Sequence, residues 1–156
     1  TTPEGYDITD QVLSDPGYSL VMISKKLEEA DPVLLAEGFE TGRHCIDNGI
    51  SFYILTASGK NELSNYDSNL PIHFTDETTL KTVVRANPGY ILLQAGTVTG
   101  KWSSSTLPEK EWFEGDPVGR QIEKMGKRNS LYIVLIISLS AMMLLMILVP
   151  ALRKWR

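Results

Sequence analysis

Apolar and polar positions along this chain follow two different periods, and one apolar run near the end has no charged residue. Residues 131–149 contain no Asp, Glu, Lys, Arg or His. At a rise of about 1.5 Å per residue, a helix of this length spans about 28 Å, close to the roughly 30 Å hydrocarbon core of a bilayer. The run lies near the C-terminus and basic residues follow it, unlike a signal peptide. The pattern therefore predicts a transmembrane helix at residues 130–150.

Upstream of this run, short apolar segments alternate with helical patterns. Residues 20–24 and 50–56 are apolar runs that each follow a turn signal, which predicts two buried parallel strands. Between them, Asp31-Pro32 supplies an N-cap and a proline at the first helical position, and the helix should end near Asn48-Gly49. We expect the buried face of this helix to carry Leu35, Phe39 and Ile46.

The alternation continues with a short helical stretch at residues 62–66 and a brief strand at 72–74. Asp76 then begins a helix. This helix must end before Asn87-Pro88, because a proline ring disfavours helical geometry in the residue that precedes it. The apolar positions of this helix recur at i, i+3 and i+4 and are Leu80, Val83 and Val84.

Two further strands are predicted at residues 90–93 and 97–102. They flank a tight turn at Ala95-Gly96 and must therefore be antiparallel. Strands and helices that alternate and then close with a helix and a hairpin resemble the thioredoxin fold, an α/β fold in which helices flank a central mixed sheet. In that fold a cis-proline opens the first hairpin strand and a glycine follows eight residues later, which is the spacing from Pro88 to Gly96.

The thioredoxin resemblance implies a cis peptide bond before Pro88. The alternative is a trans proline that only ends the preceding helix, since about 5–6% of X-Pro bonds in folded proteins are cis.

Charge divides the chain near residue 116. Residues 1–116, here called the head, carry eight Lys and Arg against eighteen Asp and Glu, whereas residues 117–156 carry seven against one. The acidic head argues against a nucleic-acid partner. Basic residues around the apolar run can contact anionic lipid headgroups. We predict a membrane interface formed by Trp112, Phe113, Lys127, Arg128, Arg153, Lys154, Trp155 and Arg156.

These patterns divide the chain into a soluble domain at residues 1–106, a linker at 107–129, a transmembrane helix at 130–150 and a basic tail at 151–156. The linker has Val118, Ile122 and Met125 at i, i+4 and i+7, which favours a short amphipathic helix on the membrane. A solvated linker with incidental spacing is the alternative.

The basic tail predicts which side of the membrane the head occupies. Short tails rich in Lys and Arg stay in the cytoplasm, which would place the head in the periplasm or outside the cell. Four basic residues before the apolar run oppose this orientation, because they too favour the cytoplasm: Arg120, Lys124, Lys127 and Arg128.

The chemistry of a thioredoxin-like oxidoreductase is missing from this sequence. Such an enzyme needs two cysteines at the start of the first long helix, where the helix dipole and backbone N–H groups stabilise a thiolate. Residues 25–31 contain no cysteine and three carboxylates. The single cysteine, Cys45, falls near the end of that helix, where the dipole disfavours a thiolate. The sequence therefore excludes dithiol exchange within this segment.

Other catalytic or metal-binding patterns are weak. His44 and Cys45 are neighbours in a helix and do not face each other, so a core cysteine beside an exposed histidine is favoured over a nucleophile and base. His73 is interpreted as a partly buried strand histidine. Asp7 and Asp10 begin like a calcium loop but lack its glycine and glutamate, which favours a helix cap. We predict no catalytic residue, cofactor or metal in this segment.

Three stretches resemble the C-terminal region of bacterial DoxX-like (MauE-like) inner-membrane proteins: residues 5–18, 75–89 and 96–102. In that family a bundle of transmembrane helices precedes a thioredoxin-like domain without Cys-x-x-Cys, and a last membrane helix closes the chain. The resemblance implies upstream helices of the same chain, an inner-membrane location with a periplasmic head, and quinone-linked or thiol redox chemistry in those helices. Residues 33–47 match the family poorly.

The sequence therefore predicts a membrane-tethered, redox-inactive thioredoxin-like module that binds or scaffolds a membrane or periplasmic protein. An extended peptide could add beside the cis-proline, so the candidate groove consists of Asn87, Pro88 and Gly89. The alternative for these residues is that they only shape the hairpin entry. Alternative functions are an accessory that presents substrate to cysteines elsewhere and a structural subunit of an envelope complex without a redox role.

Overall fold

The computed structural model describes residues 1–2, 5–66, 69–120, 122 and 133–140. Backbone contacts divide the chain into two compact units, Thr1–Asp116 and Pro117–Arg156. The first unit is a mixed α/β domain. Its helices and strands are, in chain order, α1 (Thr9–Ser14), β1 (Tyr18–Ser24), α2 (Pro32–Asp47), β2 (Ser51–Thr56), β3 (Ile72–Phe74), α3 (Glu77–Val83), β4 (Gly89–Gln94) and β5 (Thr97–Ser103). Short 3₁₀ turns lie at Leu27–Glu29, Glu62–Asn65, Ser104–Thr106 and Lys110–Phe113.

The five strands form one sheet in the order β3-β2-β1-β4-β5. β1 pairs in parallel with β2, and β2 with β3, whereas β4 is antiparallel to both β1 and β5. A register shift between Leu92 and Leu93 marks a bulge in the β4–β5 hairpin. The predicted parallel strands, hairpin and central mixed sheet are confirmed.

Helix α2 begins where the sequence predicted. The Asp31 carboxylate accepts hydrogen bonds from the backbone N–H groups of Val33 (2.8 Å) and Leu34 (3.4 Å), which satisfies donors that have no partner within the helix. Leu35, Phe39 and Cys45 face the sheet. The prediction that Ile46 shares this face is wrong: its side chain is 45% exposed, because Cys45 takes the inward position in the last turn.

Apolar side chains cover both faces of the sheet. On the α2 face, Leu20, Met22, Ile54 and Tyr90 are almost completely buried. On the opposite face, a smaller cluster packs under α3 and contains Val21, Ile23, Leu80, Val84 and Ile91.

The domain extends past residue 106, the boundary that the sequence suggested. Phe113 is 0% exposed in the α2-side core, and its ring packs edge-on against Trp102 and the half-buried Trp112. The Tyr18 hydroxyl donates a 2.6 Å hydrogen bond to the Asp116 carboxylate. The prediction that Phe113 lies at a membrane interface is therefore wrong, because its whole side chain is enclosed by the domain.

In the second unit, residues 117–120, 122 and 133–140 are helical. Apolar side chains from 133 to 140 are exposed, including Ile133 at 57% and Ile136 at 66%. Within the described part of the chain, no helix has both the length and the apolar character needed to cross a bilayer. Most of the predicted helix at 130–150 lies outside the described residues, as do Met125, Lys127, Arg128 and the predicted tail with Arg153, Lys154, Trp155 and Arg156.

Candidate functional site

The carboxyl ends of β1 and β2 meet the amino end of α2, and residues 25–31 cross between them. This is the position at which a thioredoxin-like oxidoreductase would carry its cysteines. Here the segment forms the 3₁₀ turn Leu27–Glu29 and then reaches the cap residue Asp31. The backbone N–H of Val33, which could stabilise a thiolate, already donates to the Asp31 carboxylate. The site therefore has the helix dipole of a thiol site but a carboxylate in place of sulfur.

A polar network fastens this segment to the end of β2. The Ser58 hydroxyl accepts hydrogen bonds from the Leu27 backbone N–H (2.8 Å) and the Thr56 hydroxyl (3.0 Å), and donates to the Glu28 carboxylate (2.7 Å). The hydrogen bond from Ser58 is the main reason that the pKa of Glu28 is lowered. Glu28 is therefore ionised at neutral pH. The Ser58 side chain is 3% exposed, and its hydroxyl takes part in all three of these hydrogen bonds. This arrangement is structural and does not activate a nucleophile.

The turn before β4 lies against the same segment. The Asn87 side chain accepts hydrogen bonds from the Ser24 hydroxyl (2.9 Å) and the Lys25 backbone N–H (3.0 Å), and it donates to the Lys26 carbonyl (3.2 Å). The Asn87–Pro88 peptide bond is cis, which confirms the prediction. The structure thus brings the candidate groove residue Asn87 to the site where the missing cysteines would be.

The other two candidate groove residues are enclosed. Pro88 is almost completely buried, and its carbonyl accepts a 2.8 Å hydrogen bond from the Ser104 hydroxyl. A Cβ atom on Gly89 would lie 2.9 Å from the Val84 Cβ atom, so the backbone approaches α3 closely here. Pro88 and Gly89 can contribute shape to a binding surface, whereas Asn87 is half-exposed.

A small cleft of about 190 Å³ opens beside the amino end of α2. Its walls are mainly apolar and it holds one carboxylate; the lining includes Leu27, Glu28, Ala30, Leu35, Phe39 and Tyr66. Burial raises the pKa of Tyr66, and the nearby charges of Glu28 and Glu62 raise it further. A cleft of this size and character suits one apolar side chain of a partner.

The remaining candidate groups do not assemble into a catalytic site. Cys45 is 0% exposed and burial raises the pKa of its thiol to about 12. His44 is half-buried, with its Nε2 atom 3.4 Å from a Glu114 carboxylate oxygen. His73 is buried in β3 with its ring 5.6 Å from that of Tyr53. No cluster of three metal-ligating side chains occurs among the residues that the structure describes.

Sequence reasoning missed two surfaces. One is an apolar groove of about 250 Å³ on the sheet face under α3, lined by residues such as Val21, Tyr53, Leu55 and Ile91. The other, here called the β5 cleft, lies between the end of α3 and β5, has a volume of about 650 Å³ and includes Lys81, Arg85, Lys101, Trp102, Ser103 and Thr106. Neither surface has a local sequence signal, because each combines residues from distant parts of the chain.

Comparison with known proteins identifies the fold. No protein-family model matches the chain, and no curated protein matches it. The chain is similar to the crystal structure of the exposed lipoprotein thioredoxin Etrx1 from Streptococcus pneumoniae strain TIGR4, with a TM-score of 0.51, 17% identity, and coverage of 68% of this chain and 84% of that chain. It is also similar to the crystal structure of the N-terminal domain of PilB from Neisseria gonorrhoeae, with a TM-score of 0.48, 12% identity, and coverage of 61% of this chain and 72% of that chain.

The likeness to Etrx1 and the sheet order together assign a thioredoxin-like fold to residues 1–116. The finer resemblance to DoxX-like proteins stays a prediction.

Proposed function

We propose that the thioredoxin-like domain is a binding module that does not exchange dithiols. The observation that carries this proposal is the Asp31 carboxylate at the amino end of α2, bonded to the backbone N–H groups that a reactive thiolate would need. The burial of Cys45 supports it, because a thiol with a pKa near 12 has almost no thiolate at neutral pH.

The partner would bind at the end of the sheet around residues 25–31 and Asn87. Two features support this location: the cleft lined by Leu27 and Phe39 offers an apolar pocket, and the half-exposed Asn87 is hydrogen-bonded to Lys25 and Lys26, immediately before the cleft residue Leu27. Glu28 adds a negative charge at the edge of the pocket. A partner that inserts an apolar side chain and presents a hydrogen-bond donor to Glu28 would fit this surface.

An insulin-reduction assay with dithiothreitol tests the absence of dithiol exchange. We expect the purified chain to add nothing to the rate of the dithiothreitol reaction. The matched positive control is D31C/L34C, which places two cysteines at the start of α2 with Cys-x-x-Cys spacing and should accelerate the reaction. Acceleration by the unaltered chain that disappears in C45A would overturn the proposal.

We also propose that residues 130–150 tether the domain to the bacterial inner membrane, with the head in the periplasm and the tail in the cytoplasm. The uncharged run and the basic residues 153, 154 and 156 support this topology. The head would then be part of a DoxX-like protein linked to envelope thiol or quinone redox chemistry.

Two measurements test the membrane proposal. Protease added to spheroplasts should digest the head and spare a tag on the tail; protection of the head would overturn the orientation. The intact mass and N-terminal sequence of the protein isolated from its native membrane test the DoxX link. A larger mass with upstream apolar helices supports it, whereas a mass equal to residues 1–156 rejects it.

A further inference from the structure

Positive charge in the acidic head is concentrated around the β5 cleft. Three of the eight basic residues of the head line this cleft: Lys81, Arg85 and Lys101. A fourth, Lys25, reaches its rim, because its ammonium group donates a 2.9 Å hydrogen bond to the Arg85 carbonyl. None of the described lining residues is an Asp or Glu. In a domain with eighteen carboxylates, this cleft is a local reversal of charge.

Two of the three lining cations form no ion pair within the part of the chain that the structure describes. Lys81 forms a 2.8 Å ion pair with Glu77 on the same helix. Arg85 and Lys101 are exposed, and neither forms an ion pair with any carboxylate among the described residues. The cleft therefore retains positive charge that an anionic partner could neutralise.

The second feature of the cleft is a sheet edge with which no further strand pairs in the part of the chain that the structure describes. β5 pairs with β4 on one side and is the last strand of the sheet. An edge strand presents a row of backbone N–H and C=O groups to which an extended peptide can pair as an additional strand. The strand Thr97–Ser103 forms this edge. At its end the Ser103 backbone N–H already donates to the Thr106 hydroxyl (3.0 Å), so a peptide would pair with residues 97–102.

The register of the hairpin places the charge beside that edge. Lys101 lies opposite Ile91, and Ile91 packs on the α3 face with Leu80 and Val84. Because cross-strand partners share a face of the sheet, Lys101 projects on the side where α3 carries Lys81 and is followed by Arg85. A strand added to β5 would therefore have every second side chain on the face of the sheet that carries these cations.

We propose that β5 binds an extended acidic segment of a partner protein, which adds to the sheet as a sixth strand and places its carboxylates against Lys81, Arg85 and Lys101. Backbone pairing supplies the hydrogen bonds, and the alternation of side chains supplies selectivity for acidic residues. This surface is separate from the cleft at α2, and the inference does not depend on the absence of dithiol exchange.

Fluorescence anisotropy with a labelled peptide that alternates glutamate and valine tests the proposal on the purified chain. We expect saturable binding that weakens as NaCl is raised to about 0.5 M, because screening reduces charge attraction. A matched peptide that alternates lysine and valine should not bind. Absence of binding by the acidic peptide at concentrations up to about 1 mM, or equal binding by the lysine peptide, would overturn the proposal.

Charge-reversal variants locate the site. R85E/K101E should weaken binding of the acidic peptide by at least about tenfold, whereas R43E/K60E, with the same change of net charge elsewhere, should change it by less than about threefold. Circular dichroism and a thermal melt check folding. If R85E/K101E does not fold, R85Q/K101Q replaces it with the same expected direction. Equal losses in the two charge-reversal variants would contradict a site at β5.

Two further probes separate strand addition from simple charge attraction. An acidic peptide methylated at alternate backbone nitrogens keeps its carboxylates but loses hydrogen-bond donors, so we expect it to bind poorly. Equal affinity for the methylated peptide would reject strand addition. Binding of phosphatidylglycerol vesicles that is lost in R85E/K101E, without binding of the acidic peptide, would assign the cleft to lipid headgroups and overturn the proposal.

Discussion

The Asn87 side-chain oxygen lies 3.0 Å from the backbone nitrogen of Lys25, a residue 62 positions earlier in the chain. This hydrogen bond joins the turn before β4 to the segment that enters α2. The same side chain also contacts Ser24 and Lys26, so one amide satisfies three groups of that segment. Asn87 therefore connects the two parts of the domain that form its candidate binding surface.

Replacing Asn87 with alanine should destabilise the domain. The change leaves the partly buried Lys25 N–H and Lys26 carbonyl without these partners, and we expect a loss of about 2–4 kcal/mol in the free energy of unfolding. Urea denaturation measures it. Q11A, at an exposed position of α1, is the control and should change stability by less than about 0.5 kcal/mol. A loss for N87A as small as that of Q11A would show that these hydrogen bonds contribute little.

Gly42 allows α2 to approach the sheet. A Cβ atom there would lie 2.3 Å from the Phe52 ring, a distance that requires the ring or the helix to move. We expect G42A to lower stability by about 1–3 kcal/mol, despite the roughly 1 kcal/mol that alanine gains over glycine in a helix. The midpoint of thermal unfolding measures the change. G59A is the control, because no atom lies within 4 Å of that Cβ position, and a similar loss there would contradict the packing argument.

Phe113 should be a core residue and not a membrane anchor. Because its side chain is completely buried, F113A is expected to reduce stability by about 3–5 kcal/mol. The loss for W112A should be smaller, since Trp112 is half-buried. Urea denaturation of the two variants checks this order. A variant F113A with unchanged stability but weaker vesicle binding would restore the membrane-interface prediction.

Cys45 should make stability fall at alkaline pH. Burial raises the pKa of its thiol from the usual 9.0 to about 12, so the folded state keeps a proton that the unfolded chain loses. The stabilising contribution is complete below pH 9 and decreases between pH 9 and 12, by up to about 1.4 kcal/mol per pH unit. Urea denaturation at about pH 8.5 and about pH 10 tests this. We expect the urea midpoint of C45A to fall less between these two pH values than that of the unaltered chain. If the urea midpoints of the two proteins fell equally, the loss of stability at alkaline pH would come from a group other than Cys45.

Glu28 should contribute stability that is lost in acid. Its pKa is lowered mainly by the hydrogen bond from Ser58, so its contribution is present above the usual pKa of 4.5 and disappears as the pH falls through the lower folded-state value. E28Q should therefore be less stable than the unaltered chain at neutral pH, and the two should converge in acid. Urea midpoints of both proteins, measured at neutral pH and again in acid, test this. A difference that persists in acid would mean that the carboxylate charge is not responsible.

The local features of this domain could be predicted from the sequence. The N-cap and proline at Asp31-Pro32 place the start of α2 within a few residues, because capping depends on backbone groups of the first turn. The β4–β5 hairpin follows from the two predicted strands that flank the tight turn at Ala95-Gly96, where both residues have positive φ. The resemblance to thioredoxin predicted the cis peptide bond before Pro88, and the structure has that bond. The spacing of Pro88 and Gly96 alone would not have established it.

The sequence by itself determined the order of strands and helices, the absence of a Cys-x-x-Cys pair and the division of charge, because these depend on residue types and on spacings of a few positions. Only the tertiary structure decided that Phe113 is core, that Asn87 bonds to Lys25, and that Lys81, Arg85 and Lys101 share one cleft. These relationships join residues far apart in the chain. Their distances depend on how the helices pack on the sheet, and no local pattern of apolar and polar residues contains that information.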